Sequence, residues 1–270
     1  SNPGKYEDPA EEGIRRALNI SSETMLSEKP IIDVRIGTTI ATNALLERQG
    51  TRTLLLVTKG FKDALRIGYQ SRPNLFDLKI NLPSPLYDQV IEVNERISAN
   101  GSVLKKLDQK STRTSLESAY GCGIRSVAIL FMHGYQYNDH EARAAEIAAE
   151  IGFNQISTSH DTSPLMKFVG RGDTTVADAY LTPSLRSYVD RITKNLGNIP
   201  LYFMQSHGGL TEGWRFHGKD AILSGPAAGV IGAVSVMKAA GLSRIISFDM
   251  GGTSTDAVSY THLRAHETIA

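Results

Sequence analysis

Residues 245–256 read Ile-Ile-Ser-Phe-Asp-Met-Gly-Gly-Thr-Ser-Thr-Asp, and this segment says most about the fold. The β-branched run at its start predicts a buried strand that ends at Asp249. Gly251 and Gly252 follow, and glycine can take positive φ while leaving its backbone N–H group unobstructed. Successive N–H groups that turn inward form an anion-binding nest. The segment therefore predicts a strand, a phosphate-binding turn and a return strand.

The side chains around the two glycines suit a phosphate and its cation. The carboxylates of Asp249 and Asp256 suit a hydrated Mg²⁺ that bridges to phosphate, and Asp249 is also placed to orient an attacking water or substrate oxygen. We therefore predict both as catalytic, with Asp249 holding Mg²⁺ through water. The predicted ATP-binding residues here are the two glycines and three hydroxyl donors: Gly251, Gly252, Thr253, Ser254 and Thr255. The alternative is a tight hairpin whose Thr and Asp side chains only satisfy the turn backbone.

Working back from this segment, strands and helices alternate along the chain. The strand predictions are residues 31–36, 53–58, 126–132, 155–159 and 201–205. The helix predictions between them are residues 40–48, 61–67, 111–121 and 139–151. This order predicts an α/β fold with a parallel sheet.

Three further elements have a more specific prediction. The alternation in residues 89–97 predicts an antiparallel strand. Two helices, residues 174–181 and 184–195, are predicted on either side of Thr182-Pro183. The Ala-, Val- and Gly-rich residues 225–240 predict a helix that is buried on most sides.

The segment at 245–256 resembles the phosphate turn of the actin-like ATPase superfamily, whose domains are ribonuclease H-like. Proteins of that superfamily carry two such turns, one in each lobe, with nucleotide between them. This chain has one copy, near its C-terminal end. The resemblance therefore implies an α/β fold of this superfamily, truncated at both ends.

Further segments narrow the resemblance to one family, the 5-oxoprolinase and hydantoinase A proteins. The segments that carry it, in order, are residues 37–48, 57–63, 67–70, 171–175, 179–183, 204–210 and 223–229. Within the family, the chain is most similar to 5-oxoprolinase at residues 72–78, 86–96 and 216–226. It departs from the family at Asp256-Ala257-Val258-Ser259, where members usually run Asp-Val-Ser.

The resemblance implies an ATP-dependent cyclic amidohydrolase. Its reaction would convert 5-oxo-L-proline, ATP and water to L-glutamate, ADP and phosphate by phosphorylating the lactam oxygen. It implies a small cyclic amide substrate, a hydrolase B half or subunit as partner, and a homo-oligomer when intact. Two alternatives stay open: a hydantoinase A subunit, which opens a hydantoin ring, and a nucleotide-binding module without chemistry. We expect the 270-residue chain by itself to be inactive.

Other segments are candidates for the substrate side of the cleft. Thr38, Thr39, Thr42 and Asn43 cluster where a strand meets a helix N-terminus, which suits an anion, although simple capping of that helix explains them equally well. The family resemblance favours a substrate or cleft role.

Two glycine-containing loops are weaker candidates. Gly225 lies at a helix start and is predicted to bind nucleotide, with close helix packing as the alternative. Ser206 and Gly208 follow a strand and are predicted to line the cleft, with an ordinary loop as the alternative. His133, His140 and Glu141 fit no common zinc spacing, and His140 and Glu141 lie at a predicted helix start, so we expect structural capping and not metal binding.

Composition limits the partners and the compartment. The net charge is +1, from 29 basic and 28 acidic side chains, which gives no electrostatic reason to expect nucleic acid. No apolar run is long enough for a membrane helix, so no membrane partner is expected. Cys122 is the only cysteine, which predicts a reducing cytoplasmic setting.

The predicted domain organisation has three parts. Residues 1–172 form a hydantoinase/oxoprolinase N-terminal type of domain that lacks its first strands. Residues 173–260 begin a hydantoinase A/oxoprolinase domain that holds the phosphate turn. Residues 261–270 show neither strand alternation nor an apolar stripe and are predicted to be a non-native tail.

Overall fold

A computed structural model of the chain describes residues 9–21, 26, 29–70, 76, 78, 82–250 and 255–260. The helices are α1 (Pro9–Leu18), α2 (Ile40–Leu46), α3 (Ala64–Ile67), α4 (Gln109–Gly121), α5 (Asp139–Ile151), α6 (Ser159–Thr162), α7 (Phe168–Leu196), α8 (Gly218–Ala221) and α9 (Ser224–Ala239). The strands are β1 (Val34–Ile36), β2 (Thr53–Thr58), β3 (Gln89–Val93), β4 (Arg96–Ile97), β5 (Val103–Lys105), β6 (Ser126–Leu130), β7 (Gln155–Thr158), β8 (Leu201–Met204), β9 (Leu210–Glu212), β10 (Ile245–Met250) and β11 (Thr255–Tyr260). Within the described part of the chain, no helix combines the length and apolarity needed to cross a membrane.

The chain packs into two compact units. The central unit comprises residues 48–184, and the flanking unit comprises residues 1–47 and 185–270. This is a division by packing. The predicted boundary at residue 172 rests on the change from β-α-β units to a helical stretch in the sequence, and it stays a prediction.

A parallel sheet in the order β3-β2-β6-β7 forms the middle of the central unit. Strands β2 and β6 are buried along their whole length, because apolar residues occupy both of their faces. Alternate residues serve opposite layers: Leu54 and Leu56 pack in a cluster with Ala144 of α5, whereas Leu55 and Val57 pack with Val176 of α7. The predicted parallel α/β architecture is confirmed in this unit.

The predicted antiparallel strand at residues 89–97 is wrong. Residues 89–93 form β3, which runs parallel to β2, and Arg96–Ile97 instead pairs antiparallel with β5. The side chain of Glu95 is buried and bonds Thr58 and His140, which turns the chain out of the sheet between the two strands. Sequence alternation predicts a strand with one buried face but does not specify its partner or direction.

The predicted helix break at Thr182-Pro183 is also wrong, because α7 continues through Pro183. Proline cannot donate the helical hydrogen bond to the carbonyl of Ala179, four residues earlier. The Ser126 hydroxyl donates to that carbonyl instead, at 2.6 Å, and the N–H group of Thr51 donates to the next carbonyl, of Tyr180, at 2.9 Å. The tertiary Ser126 donor thus replaces the bond that Pro183 removes from the helix interior.

The flanking unit contains a three-stranded sheet, β1-β8-β9, and the β10-β11 hairpin. Its core includes the stacked rings of Phe203 and Phe216, whose centroids are 4.8 Å apart. Gly213 lies against Val189 of α7 and against Phe203, so closely that a Cβ atom there would be 2.9 Å from Val189.

Helix α9 packs against β8, β10 and β11 of the flanking unit. The prediction that this helix is buried on most sides is wrong: Ser224 and Met237 are buried, whereas Val236 is 70% exposed. A composition rich in Ala, Val and Gly indicates that a helix tolerates close neighbours, but it does not fix how many neighbours there are.

Candidate functional site

The hairpin formed by β10 and β11 carries the two predicted catalytic carboxylates. The strands are antiparallel, and their register places Asp249 directly opposite Asp256. The predicted strand and return strand are therefore confirmed. The predicted nucleotide-binding residues 251–254, which are Gly251, Gly252, Thr253 and Ser254, lie outside the described residues. Thr255 is the first residue of β11 and is exposed.

Asp249 and Asp256 share one face of this hairpin. Directly opposite residues in an antiparallel pair have Cβ atoms about 4.5–5.5 Å apart, and like charges in that arrangement repel. Within the described residues, neither carboxylate has an ion-pair partner. Two carboxylates held together without a cation are chemically suited to bind one.

A cavity of about 310 Å³ lies between this face of the hairpin and α9. The hairpin contributes both carboxylates, and the lining residues from α9 are Pro226, Gly229, Val230 and Ala233. These four recur at helical spacing and form one stripe of α9. The approach is close: a Cβ atom at Gly229 would lie 3.8 Å from Oδ2 of Asp249.

The donor set fits magnesium better than a transition metal. Among the described residues, no group of three or more His, Cys, Asp or Glu side chains is placed to hold a metal ion. Mg²⁺ keeps several water ligands and is commonly held by one or two carboxylates together with substrate phosphates. Asp249 and Asp256 meet that requirement.

A second cavity in the flanking unit is larger, about 350 Å³, but contains no predicted site residue. Its lining includes Arg186, Asp190 and Trp214. Volume alone therefore does not identify the functional site. The chemistry of the paired carboxylates makes the smaller cavity the candidate.

The predicted cleft residues at the start of α2 lie beside the N-terminus of α9. The backbone N–H of Thr38 donates to the Ser224 hydroxyl at 3.1 Å, and the Thr42 hydroxyl donates to the carbonyl of Ile222. The Thr38 hydroxyl accepts from the Ile40 N–H at 3.3 Å, whereas Thr39, the N-cap of α2, forms no side-chain capping bond. These polar groups of Thr38 and Thr42 are thus bonded within the protein.

Two further cleft candidates, Ser206 and Gly225, also form their contacts within the protein. The Ser206 hydroxyl donates to the carbonyl of Asp220 and accepts from the N–H of Leu223, at 2.7 and 3.0 Å. Gly225 approaches Thr39 so closely that a Cβ atom would lie 2.5 Å from its methyl carbon, which agrees with the close-packing alternative.

For Asn43 and Gly208, the structure describes a role of the backbone in local structure. Asn43 lies in the first turn of α2, where its N–H donates to the carbonyl of Thr39. Gly208 lies in a turn with φ of 87°, a left-handed conformation that favours glycine. The structure brings neither of them to the carboxylate cavity.

The central unit contains a buried polar cluster that the sequence did not reveal. The Glu141 carboxylate is fully buried and accepts four hydrogen bonds, from Phe131 N, Ser159 Oγ, His160 N and His160 Nδ1. Arg171, 1% exposed, donates to Ser159 Oγ at 2.9 Å and to the carbonyl of Phe131 at 2.8 Å. The capping role expected for Glu141 is wrong, because its carboxylate bonds Phe131, Ser159 and His160 and not the first turn of α5.

Burial and hydrogen bonding change the pKa values of two groups in this cluster, His160 and Arg171. The hydrogen bond that His160 Nδ1 donates to the Glu141 carboxylate raises the pKa of His160, against the opposing effect of burial. Burial lowers the pKa of the Arg171 guanidinium from its usual value. Because Glu141 and Arg171 each bond both Phe131 and Ser159, the cluster links the ends of β6 and β7.

The parallel sheet, with the carboxylate hairpin elsewhere in the chain, is consistent with the α/β architecture of the actin-like ATPase superfamily. Residues 2–152 match the hydantoinase/oxoprolinase N-terminal region, and residues 171–270 match hydantoinase/oxoprolinase. This chain belongs to the hydantoinase/oxoprolinase family.

Three known proteins illustrate the relationship. The 5-oxoprolinase of Saccharomyces cerevisiae is 40% identical over 296 residues, covering 96% of this chain and 23% of that protein. The crystal structure of an ATP-dependent caprolactamase from Pseudomonas jessenii matches with a TM-score of 0.77 and 29% identity, over 96% of this chain and 39% of the other. Nucleotide-free acetone carboxylase, 22% identical, shares the fold with a TM-score of 0.77 over 92% of this chain and 37% of the other. The chain thus spans about a quarter of the length of the curated relative.

Proposed function

We propose that this chain provides the metal- and phosphate-binding hairpin of an ATP-dependent enzyme that opens a cyclic amide, with 5-oxo-L-proline as substrate. The observation that carries the proposal is the Asp249–Asp256 pair, which faces a cavity without a cation partner among the described residues. The similarity to 5-oxoprolinase over 96% of the chain supports the substrate class.

The need for ATP follows from the chemistry of the substrate. A five-membered lactam is stabilised by amide resonance and resists attack by water. Transfer of the γ-phosphoryl group from ATP to the lactam oxygen, with ADP leaving, turns the ring carbon into a better electrophile. Water then adds to that carbon, and the carbon–nitrogen bond breaks as a proton passes to the nitrogen, which gives an acyl phosphate. A second water releases the phosphate and leaves the free carboxylate of glutamate. Bound Mg²⁺ would neutralise charge on the phosphate oxygens.

The residues of this chain hold and orient the reacting groups. Asp249 and Asp256 would bind the hydrated cation, and Asp249 would also orient a substrate oxygen or water. The apolar stripe of α9, which includes Val230 and Ala233, limits the water that reaches the two carboxylates from that side. Asp249 is exposed and Asp256 is half-buried, so a hydrated cation can reach the pair from solvent.

Cation binding tests the site directly on the 270-residue chain. Mn²⁺, a paramagnetic substitute for Mg²⁺, should bind the chain, and Mg²⁺·ATP should compete with it. Asp249→Asn and Asp256→Asn should each weaken binding at least about tenfold, because an amide does not supply the charge. Asp139→Asn, an exposed carboxylate on α5, is the matched control and should change nothing. Equal binding by all three variants would remove the hairpin from the proposal.

Activity provides a second test. In an intact enzyme of this sequence, Asp249→Asn should lower ATP turnover at least ~10²-fold while folding is kept, a loss typical of one missing electrostatic group. The 270-residue chain alone should show no ADP release that depends on 5-oxoproline, because phosphoryl transfer needs groups positioned on both sides of the nucleotide. Substrate-stimulated release at ~1 per second or faster would contradict that expectation.

A further inference from the structure

Three hydroxyl groups hold the loop that leads into α9. They belong to Thr42, Ser206 and Ser224, and we call them the hydroxyl joint. Thr42 donates to the carbonyl of Ile222, while Ser206 donates to the carbonyl of Asp220. Because each bond ends on main chain, the joint fixes the backbone path itself and not only the side chains.

The third member and a close helix contact complete the attachment. The fully buried Ser224 hydroxyl accepts from the N–H of Thr38 at 3.1 Å. One turn further along α9, Ala228 packs against Gly37, where an added Cβ atom would come within 2.2 Å of the Ala228 methyl. These two contacts leave α9 little room to move on the side that faces Gly37 and Thr38.

The contacts of α9 fall on two opposite faces. Residues 224 and 228, which face the β1–α2 segment, are four apart and lie on one side of the helix. The stripe that lines the carboxylate cavity, from Pro226 to Ala233, lies on the other side at 100° per residue. A helix is rigid across its diameter, so a displacement at the first face moves the second.

We propose that the hydroxyl joint positions α9 against Asp249 and Asp256, which makes Thr42, Ser206 and Ser224 positioning residues for the metal and phosphate site. This inference rests on the proposed function of the hairpin. It also reinterprets Thr42 and Ser206, because their hydroxyl groups bind backbone and are not free for substrate. Their effect on the site is transmitted through α9.

Thr42 offers a matched pair of variants. Thr42→Val keeps the shape and the β-branch but removes the donor, while Thr42→Ser keeps the donor. Ser126→Ala in the central unit removes a comparable hydroxyl-to-carbonyl bond and controls for a general loss of stability. Thr42→Val should weaken Mn²⁺ binding by about tenfold, the scale expected when a site is displaced by a fraction of an ångström. Thr42→Ser and Ser126→Ala should leave the affinity unchanged.

Electron paramagnetic resonance gives a second measurement that does not depend on any ligand. Nitroxide labels at Val236→Cys on α9 and Ser259→Cys on β11, both exposed, report the distance between helix and hairpin once Cys122→Ser removes the native thiol. Thr42→Val should shift or broaden this distance distribution, whereas Thr42→Ser should not.

The two measurements separate the possible failures. An unchanged distance in Thr42→Val overturns the positioning role, whatever the affinity does. A changed distance with unchanged Mn²⁺ affinity overturns the link between the joint and the site. If the unsubstituted chain binds neither Mn²⁺ nor Mg²⁺·ATP, the proposed function has failed, and the distance alone then decides whether the joint positions α9.

Discussion

Replacing Glu141 by Gln should destabilise the central unit far more than an isosteric change normally does. Glu141 Oε1 accepts from Phe131 N at 2.8 Å and from Ser159 Oγ at 2.6 Å, while Oε2 accepts from His160 N and His160 Nδ1. A carboxylate can accept at both oxygens, whereas an amide has one oxygen and one NH₂ group. In either orientation of the amide, its NH₂ group therefore faces a backbone N–H.

The size of the effect follows from the groups left unpaired. A buried donor without a partner costs about 1–3 kcal/mol, and removing the charge from one side of a buried pair costs about 3–5 kcal/mol. We expect a loss of about 3 kcal/mol, because the Glu141 side chain is fully buried and Ser159 can rotate its hydroxyl to adapt. At 1.36 kcal/mol per decade, that loss speeds amide exchange about 150-fold.

Native-state hydrogen exchange is the suitable measurement, because the chain has two compact units and a single unfolding midpoint is not defined for it. The amides of β2 and β6 should lose protection in Glu141→Gln. Glu146→Gln, an exposed substitution on the same helix, is the control and should leave the exchange rates unchanged. A loss of less than about 1 kcal/mol in Glu141→Gln would refute the account of four obligatory bonds.

Three other outcomes are expected. The folded-state pKa of His160 is raised above its unfolded value, so its pairing with Glu141 stabilises the fold fully below about pH 6.5. This contribution is lost as pH rises through the folded pKa. The protection of β7 amides against exchange should therefore fall over that range, and His160→Gln should abolish this pH dependence. Gly37→Ala should destabilise the flanking unit by about 1–3 kcal/mol, because its Cβ atom would clash with Ala228. Gly232 has open space around it, so Gly232→Ala should stabilise α9 by up to about 1 kcal/mol. Hydrogen exchange measures both effects. Ser126→Ala should cost about 1–3 kcal/mol by leaving the Ala179 carbonyl of α7 without a donor, and exchange that is no faster near residue 183 would contradict the explanation for the continuous helix.

The features that were predicted correctly depend on residues that are close together along the chain. The Asp249–Asp256 pairing follows from one strand, two glycines and a return strand within sixteen residues, and the register places the carboxylates opposite each other. The apolar runs of β2 and β6 likewise predict buried parallel strands without any knowledge of their neighbours.

What the sequence did not predict depends on partners far along the chain. Pro183 is a local signal for a helix break, but Ser126, 53 residues before Ala179, supplies the replacement donor. Arg171 lies in a segment shared with the family, yet its burial follows from the carbonyl of Phe131, 40 residues away.

The same limit explains the hydroxyl groups around α9. The Ser224 hydroxyl accepts from the backbone N–H of Thr38, 186 positions earlier, and the Thr42 hydroxyl donates to the carbonyl of Ile222, 180 positions further on. No local pattern distinguishes a hydroxyl that binds such a carbonyl from one that binds a substrate.

The dependence of the site on distant residues follows from the weakness of its hairpin. Two strands alone are only marginally stable in water, and the repulsion between Asp249 and Asp256 weakens this pair further. The hairpin is therefore held by its contacts with α9, and α9 is held by the loop that the hydroxyl joint attaches to the segment after β1. Residues near position 40 thus help to set the geometry of carboxylates near position 250, although none of them reaches the cavity. A site that places two carboxylates side by side needs such support. The negative charges that attract a cation also repel each other and weaken the pairing of the two strands.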